Sequence, residues 1–211
     1  MQTVLNAAMS VSAYRYFVLH KPYNMVSQFV SPDAVRLLGD LDYSFPEGTH
    51  AIGRLDSHSE GLLLLTTNKR VTKLLFESRE PHKRSYLVQV RNVVSPESLE
   101  ALRSGVYIEI KGGEQYLAKP TAVAFAEKPV LLPELQAHYR EVPHTWLLIT
   151  LTEGKYHQVR KMVNAIGHPC KRLIRVSIED LELGDLEPGV VKEVTEAEFF
   201  DKLKLKKETS Q

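Results

Sequence analysis

The chain has 211 residues, 43% of them hydrophobic and 25% charged, with a formal net charge of +1, so it can bury a full core and fits one catalytic domain better than several. No apolar stretch approaches the roughly 20 residues of a membrane helix and nothing at the start reads as a signal peptide, which excludes a membrane role and favours the cytoplasm. The single Cys170 can form neither an internal disulfide nor a cysteine-based metal site.

Residues 1–13 have no sustained apolar run and are expected to be disordered. Tyr14 to His20 alternates aromatic and aliphatic residues, Lys21-Pro22 interrupts, and Tyr23 to Phe29 resumes, which predicts a hairpin-like pair of strands. Short apolar strands are expected at His50 to Leu55 and Leu62 to Thr67, separated by the polar turn Asp56-Ser57-His58-Ser59-Glu60-Gly61. Asn68 is placed to cap a helix carrying Val71, Leu74, Leu75 and Phe76, and a strand should run from Arg84 to Val94. Ser95-Pro96 and Gly105 bracket a short helix from Pro96 to Arg103. Val106 to Ile110, Tyr116 to Phe125 and Trp146 to Thr152 read as strands. His157 to Ile166 is helical, with Val159, Met162, Val163 and Ile166 on one face and Gly167 closing it. A strand near Val176 to Leu183 precedes a terminal helix started by the capping box Thr195 and Glu198. The segment 14–200 is thus expected to be one catalytic domain, and 201–211 a frayed tail. Many strands with few helices and no regular alternation indicate an α+β domain around a mixed, largely antiparallel sheet with flanking short helices.

The small net charge conceals a segregation. Lys69, Arg70, Lys73, Arg79, Lys83, Arg84 and Arg91 form one basic block, and Lys155, Arg160, Lys161, Lys171, Arg172 and Arg175 a second, whereas 177–198 is strongly acidic. If both basic blocks share a face, they make a phosphate-binding surface; solvated helix faces explain the same blocks equally well. No glycine-rich phosphate loop occurs, so no nucleotide cofactor is expected. His58, His82, His144, His157 and His168 lack ligand spacing, so no metal is expected either. Asp56, at the end of an apolar strand, is well placed for chemistry, although an aspartate there is more often an ordinary turn residue.

The string Gly53-Arg54-Leu55-Asp56-Ser57-His58-Ser59-Glu60-Gly61-Leu62-Leu63-Leu64-Leu65-Thr66 resembles the catalytic motif of pseudouridine synthases of the RsuA-like branch, G-R-L-D-x-x-[TS]-x-G-L-L-x-L-T. Lys21-Pro22 resembles the family's early K-P element, Arg84-Ser85-Tyr86-Leu87-Val88 its tyrosine strand, and Glu153 to Met162 its third motif, followed by Gly167-His168-Pro169 and Arg172-Leu173-Ile174-Arg175. Within the branch, Lys21-Pro22-Tyr23 and the Trp146 strand look most like RluE-type enzymes of the large ribosomal subunit. Two departures stand out: there is no room before Tyr14 for the S4-type RNA-binding domain common in the branch, and Arg84 replaces the usual lysine, with Lys83 beside it.

The resemblance implies the pseudouridine synthase catalytic fold, a cofactor-free isomerase, and ribosomal RNA as partner, most of all 23S RNA, for a monomer. It implies Asp56 as nucleophile, Arg160 paired with it, and Tyr86 stacking on the uracil with its hydroxyl near the reacting centre. The position of Arg160 beside the apolar stripe of its helix gives independent reason to expect a partner. By resemblance Arg54 enters the space left by the flipped base and Leu173 lines the uracil pocket. Lys155, His157, Lys161 and Arg84 would track the RNA backbone. Two other readings compete: a noncatalytic RNA-binding or ribosome-assembly protein on the same scaffold, which has no need of Asp56, Tyr86 and Arg160 together, and an aspartate-dependent hydrolase, disfavoured by the lack of a second well-placed carboxylate.

Overall fold

The computed structural model describes residues 14–76, 80–128 and 143–206; the expected disorder of 1–13 lies outside them. Among these residues the strands are β1 (Tyr16–Lys21), β2 (His50–Ile52), β3 (Glu60–Thr66), β4 (Arg84–Arg91), β5 (Val106–Glu109), β6 (Gln115–Ala118), β7 (Ala122–Ala126), β8 (His144–Leu151), β9 (Cys170–Ile178), β10 (Leu181–Glu182) and β11 (Val191–Val194). The helices are α1 (Val71–Phe76), α2 (Pro96–Ser104), α3 (Gln158–Ala165) and α4 (Glu196–Lys202), with one turn of 3-10 helix at Leu38–Asp40. The expected α+β class holds. The main sheet runs β11-β1-β3-β9-β4-β8-β7, with β2 on β3 and β10 on β9, while β5 and β6 form a separate hairpin.

The apolar run of β3 explains its central place. Leu62 and Leu64 face a core shared with Ile52, α1 and α4, and Leu63 and Leu65 face Phe17, Leu19, Met25 and Leu38; a strand covered on both faces needs continuous rather than alternating hydrophobicity. A third core joins α2 and α3 to β4, β8 and the hairpin through Leu102, Met162, Val163, Val88 and Leu147. Ser95 caps α2 as the sequence predicts, accepting from Ser98 N, and at α4 the N-cap half of the expected capping box forms, Thr195 accepting from Glu198 N.

Two half-sheets, β2-β3-β1-β11 and β10-β9-β4-β8-β7, meet where β3 pairs β9, the one parallel pairing among the described strands. Its register covers only Glu60↔Ile174 and Gly61↔Arg175, so side chains reinforce it. Glu60 and Arg172, both buried, form a bidentate pair at 2.6 and 2.7 Å, and Arg175 Nε donates to Leu62 O at 2.8 Å. Such forked charge-assisted bonds fix direction as well as distance.

Several expectations need correction. Tyr23 to Phe29 is not a strand: β1 lies between β3 and β11, so no hairpin forms there, and residues 22–25 instead wrap the Lys21 ammonium, which donates to Pro22 O and Met25 O. Tyr116 to Phe125 splits into β6 and β7 around Lys119-Pro120, since proline lacks the ladder donor. The strand expected from Val176 starts at Cys170, and β11 had no prediction. The tail does not fray from 201: Leu203 and Leu205 are buried in the core around α4, and 207–211 lie outside the described residues.

Gly61 has φ +98, and a Cβ there would overlap Arg175 O and lie 2.7 Å from Arg175 N. Gly61→Ala should therefore destabilise the fold by at least about 3 kcal/mol. Urea unfolding followed by circular dichroism would check this, and a midpoint equal to that of the wild type would contradict it.

Candidate active site

The chain leaves β2 through Gly53, whose φ of +71 turns it toward the seam between the half-sheets, and Arg54-Leu55-Asp56 lead into β3. This loop is fastened on both sides of Asp56. Ser27 Oγ donates to Leu55 O at 2.9 Å and accepts from Leu55 N at 3.0 Å. The buried Lys21 ammonium reaches Ser57 O at 3.3 Å, and Ser59 N closes a turn onto Asp56 O. Arg160, from α3, donates to His58 O at 2.7 Å and Ser59 Oγ at 3.3 Å, and its other nitrogen meets Cys170 Sγ at 3.6 Å.

Among the described residues no hydrogen bond or ion pair joins Arg160 to Asp56. The expected pair is replaced by a grip on the backbone two residues further on, which satisfies the same guanidinium. The Asp56 carboxylate faces His157 instead, with Nε2 3.4 Å from Oδ2. His157 is in the left-handed region, φ 54 and ψ 28, which is uncommon for a residue with a Cβ and typical of positions that the surroundings over-determine. The surroundings here are a chain of bonds: Tyr116 Oη donates to Glu153 Oε2 at 2.5 Å, Gln158 Nε2 to Glu153 Oε1 at 2.6 Å, and Lys155 N to Gln158 Oε1 at 2.8 Å. The β5–β6 hairpin thereby braces the loop that presents His157.

A cavity of about 220 Å³ opens beside Asp56, lined among others by Arg54, Tyr86, Leu151, Lys155, His157, Val159 and Leu173. The half-buried Tyr86 comes from β4 and Leu173 from β9. Behind Tyr86, the guanidinium of Arg175 is buried; burial lowers its pKa, and its interaction with the Tyr86 phenol acts in the opposite direction. An adjoining groove of about 450 Å³ is lined by Arg54, Asp56, His58, Tyr156, His157 and Arg160 with neighbours from Val26 to Gln28.

The sequence-predicted residues therefore divide. Asp56, Tyr86, Leu173, Arg54, Lys155 and His157 share the cavity, and Arg160 borders the groove beside it. Lys161 lines neither; its ammonium donates to Glu109 O at 2.6 Å. Arg84 is buried with its guanidinium 4.8 Å over the Phe76 ring, so it cannot track an RNA backbone. Arg172 and Arg175 are likewise internal, which removes them from the supposed second basic face.

A family model described as RNA pseudouridylate synthase matches residues 15–165. The chain belongs to the RNA pseudouridylate synthase family. It is 37% identical over 182 residues to the ribosomal large subunit pseudouridine synthase E of Vibrio parahaemolyticus, covering 85% of this chain and 74% of that one. To the enzyme of the same name from Xanthomonas axonopodis pv. citri it is 34% identical, covering 81% and 89%. It is 31% identical to the Escherichia coli ribosomal small subunit pseudouridine synthase A, covering 88% and 72%. A crystal structure of a pseudouridylate synthase superposes with a TM-score of 0.70 at 26% identity, covering 90% of this chain and 74% of that one. Membership makes the chain an isomerase acting on RNA, with the pseudouridine synthase fold. No helix among the described residues is long and apolar enough to cross a membrane.

Sequence reasoning on this synthase missed Tyr156, Tyr116 and the structural work of Lys21. Tyr156 left a signal as a member of the third motif, and Lys21 as half of the K-P element. Burial pushes its ammonium down to about 8, while Glu60 and Asp56 pull it back up. Because the folded pKa lies below the unfolded value of 10.5, the unfolded chain keeps a proton that the folded chain has released between those limits, and stability rises with pH there. Across that window the unfolding free energy of the wild type should gain on that of Lys21→Met by up to about 1.4 kcal/mol per pH unit. Paired urea titrations at several pH values measure this, and a difference that stays flat would overturn it.

Proposed function

We propose that this chain converts uridine to pseudouridine in ribosomal RNA, that of the large subunit, with Asp56 as the nucleophile. The observation that carries this reading is convergence: the Asp56 carboxylate, the Tyr86 ring and the Leu173 side chain arrive from separate elements on one cavity. The two large-subunit relatives favour that RNA over the small-subunit one through higher identity.

A uridine within folded RNA hides C1′, so the nucleotide must be extruded into the cavity. Tyr86 and Leu173 offer an aromatic and an apolar surface to the uracil, and Arg54, exposed and bordering both cavities, is placed to enter the space left in the RNA. Asp56 bonds to C1′ as the N1–C1′ bond breaks. The uracil turns within the cavity, C5 bonds to C1′ and displaces the carboxylate. The Tyr86 hydroxyl then takes the C5 proton as it passes its own to solvent, and N1 takes one up. Atoms and electrons balance without a cofactor. The fastened loop keeps the carboxylate aimed while the base turns, and Arg160 serves as a positioning residue by holding His58 O. Lys155 and His157, at the mouth, are suited to meet phosphate.

Asp56→Asn should form no pseudouridine in 23S RNA transcribed in vitro while still binding it; retained product would refute Asp56 as nucleophile. Tyr86→Phe should lower turnover by about 100-fold or more with little change in RNA affinity, and equal turnover would remove the phenol from the chemistry. Mapping pseudouridines in ribosomal RNA from cells with and without the gene tests the substrate, and identical maps would sink it.

A further inference from the structure

The reaction described above occupies only one of the two cavities at Asp56. The second, the open groove, shares Arg54, Asp56, Tyr156 and His157 with the first, and the rings of His58, Tyr156 and His157 on its walls each belong to a stacked pair. His58 stacks on Tyr23 with ring centroids 5.3 Å apart at 25°. Tyr156 stacks on His157 at 3.8 Å and 18°.

Tyr156 is 70% exposed, so its ring contributes nothing to a core. It is nonetheless held in place, because it lies between the left-handed His157 and a loop tied to Tyr116 through Glu153 and Gln158. A rigid, exposed aromatic face beside a cationic groove is the arrangement that binds single-stranded nucleic acid, since every base has a π-face to stack. Lys161 Nζ, 5.6 Å over the Tyr156 ring, adds charge nearby, and Arg54 borders both cavities, so the two cavities are adjacent at the point where Arg54 would enter the RNA. Flipping one nucleotide leaves its neighbour unstacked on one face, and a platform at this point offsets that loss.

We propose that the groove is a second nucleobase subsite, which holds the unpaired nucleotide adjoining the target uridine by stacking on Tyr156. This rests on the reading that RNA is modified at Asp56, and it adds a determinant of substrate choice: the uridine must have a neighbour free to leave its own stack.

The test uses a synthetic RNA hairpin containing the uridine mapped in ribosomal RNA, and versions in which the 5′ or the 3′ neighbour is replaced by an abasic ribose. Affinity is read by fluorescence anisotropy in the Asp56→Asn background, where no turnover intervenes. Tyr156→Ala should weaken binding of the intact hairpin by about 5- to 150-fold, and Tyr156→Phe should keep most of the affinity. One of the abasic hairpins should bind the tyrosine protein correspondingly less well, and on that hairpin Tyr156→Ala should cost nothing further, as expected for two parts of one contact. Unchanged affinity of Tyr156→Ala, or losses that simply multiply with both abasic hairpins, would overturn the subsite while leaving the role of Asp56 intact. Failure of the wild type to make pseudouridine would instead strike at the reading on which the subsite rests.

Discussion

The candidate active site depends on a junction only two residue pairs wide. Two antiparallel half-sheets are joined through Glu60 and Gly61 on one side and Ile174 and Arg175 on the other, and so short a parallel ladder supplies few backbone hydrogen bonds. The Glu60–Arg172 fork and the Arg175 bond to Leu62 O add directional contacts that a purely apolar seam would lack. A buried ion pair is weak evidence for stability but good evidence for a fixed register, and register matters here. Tyr86 lies opposite Arg175 across the β4–β9 ladder, while Asp56 lies four residues before Glu60. Any slip between β3 and β9 would move the carboxylate relative to the phenol.

Much of the fold was legible where the pattern is local. The unbroken leucines of β3, the Ser95 and Thr195 caps and the apolar stripe of α3 each carry their structure in a few neighbouring residues, and each formed as expected. What failed was long-range. Tyr23 to Phe29 has the composition of a strand, but the buried Lys21 ammonium requires carbonyl partners, and the chain that follows curls to provide them. The small strand β11 is made by its pairing with β1, not by a strong pattern of its own.

The site was legible for a different reason. Asp56 alone is indistinguishable from a turn residue, and the long motif around it singled it out. The basic residues misled because charge counts take no account of burial: Arg84, Arg172 and Arg175 look like a phosphate surface in sequence, yet they lie inside, against Phe76, Glu60 and the backbone of β3. Arg172 and Arg175 organise the seam instead. The residues that meet solvent around Asp56, among them Arg54, His58, Lys155 and Tyr156, are fewer than the charge blocks suggested.

The thiol of Cys170 touches Arg160, the side chain that grips the Asp56 loop, so a reagent attacking there would strike close to that loop. Burial pushes that thiol up to about 11, against the opposing pull of Arg160, and it is the thiolate that oxidants and alkylating agents attack. The one thiol of the chain is therefore chemically quiet at neutral pH. Reagents that act on thiolates should find little purchase at this point beside the Asp56 loop.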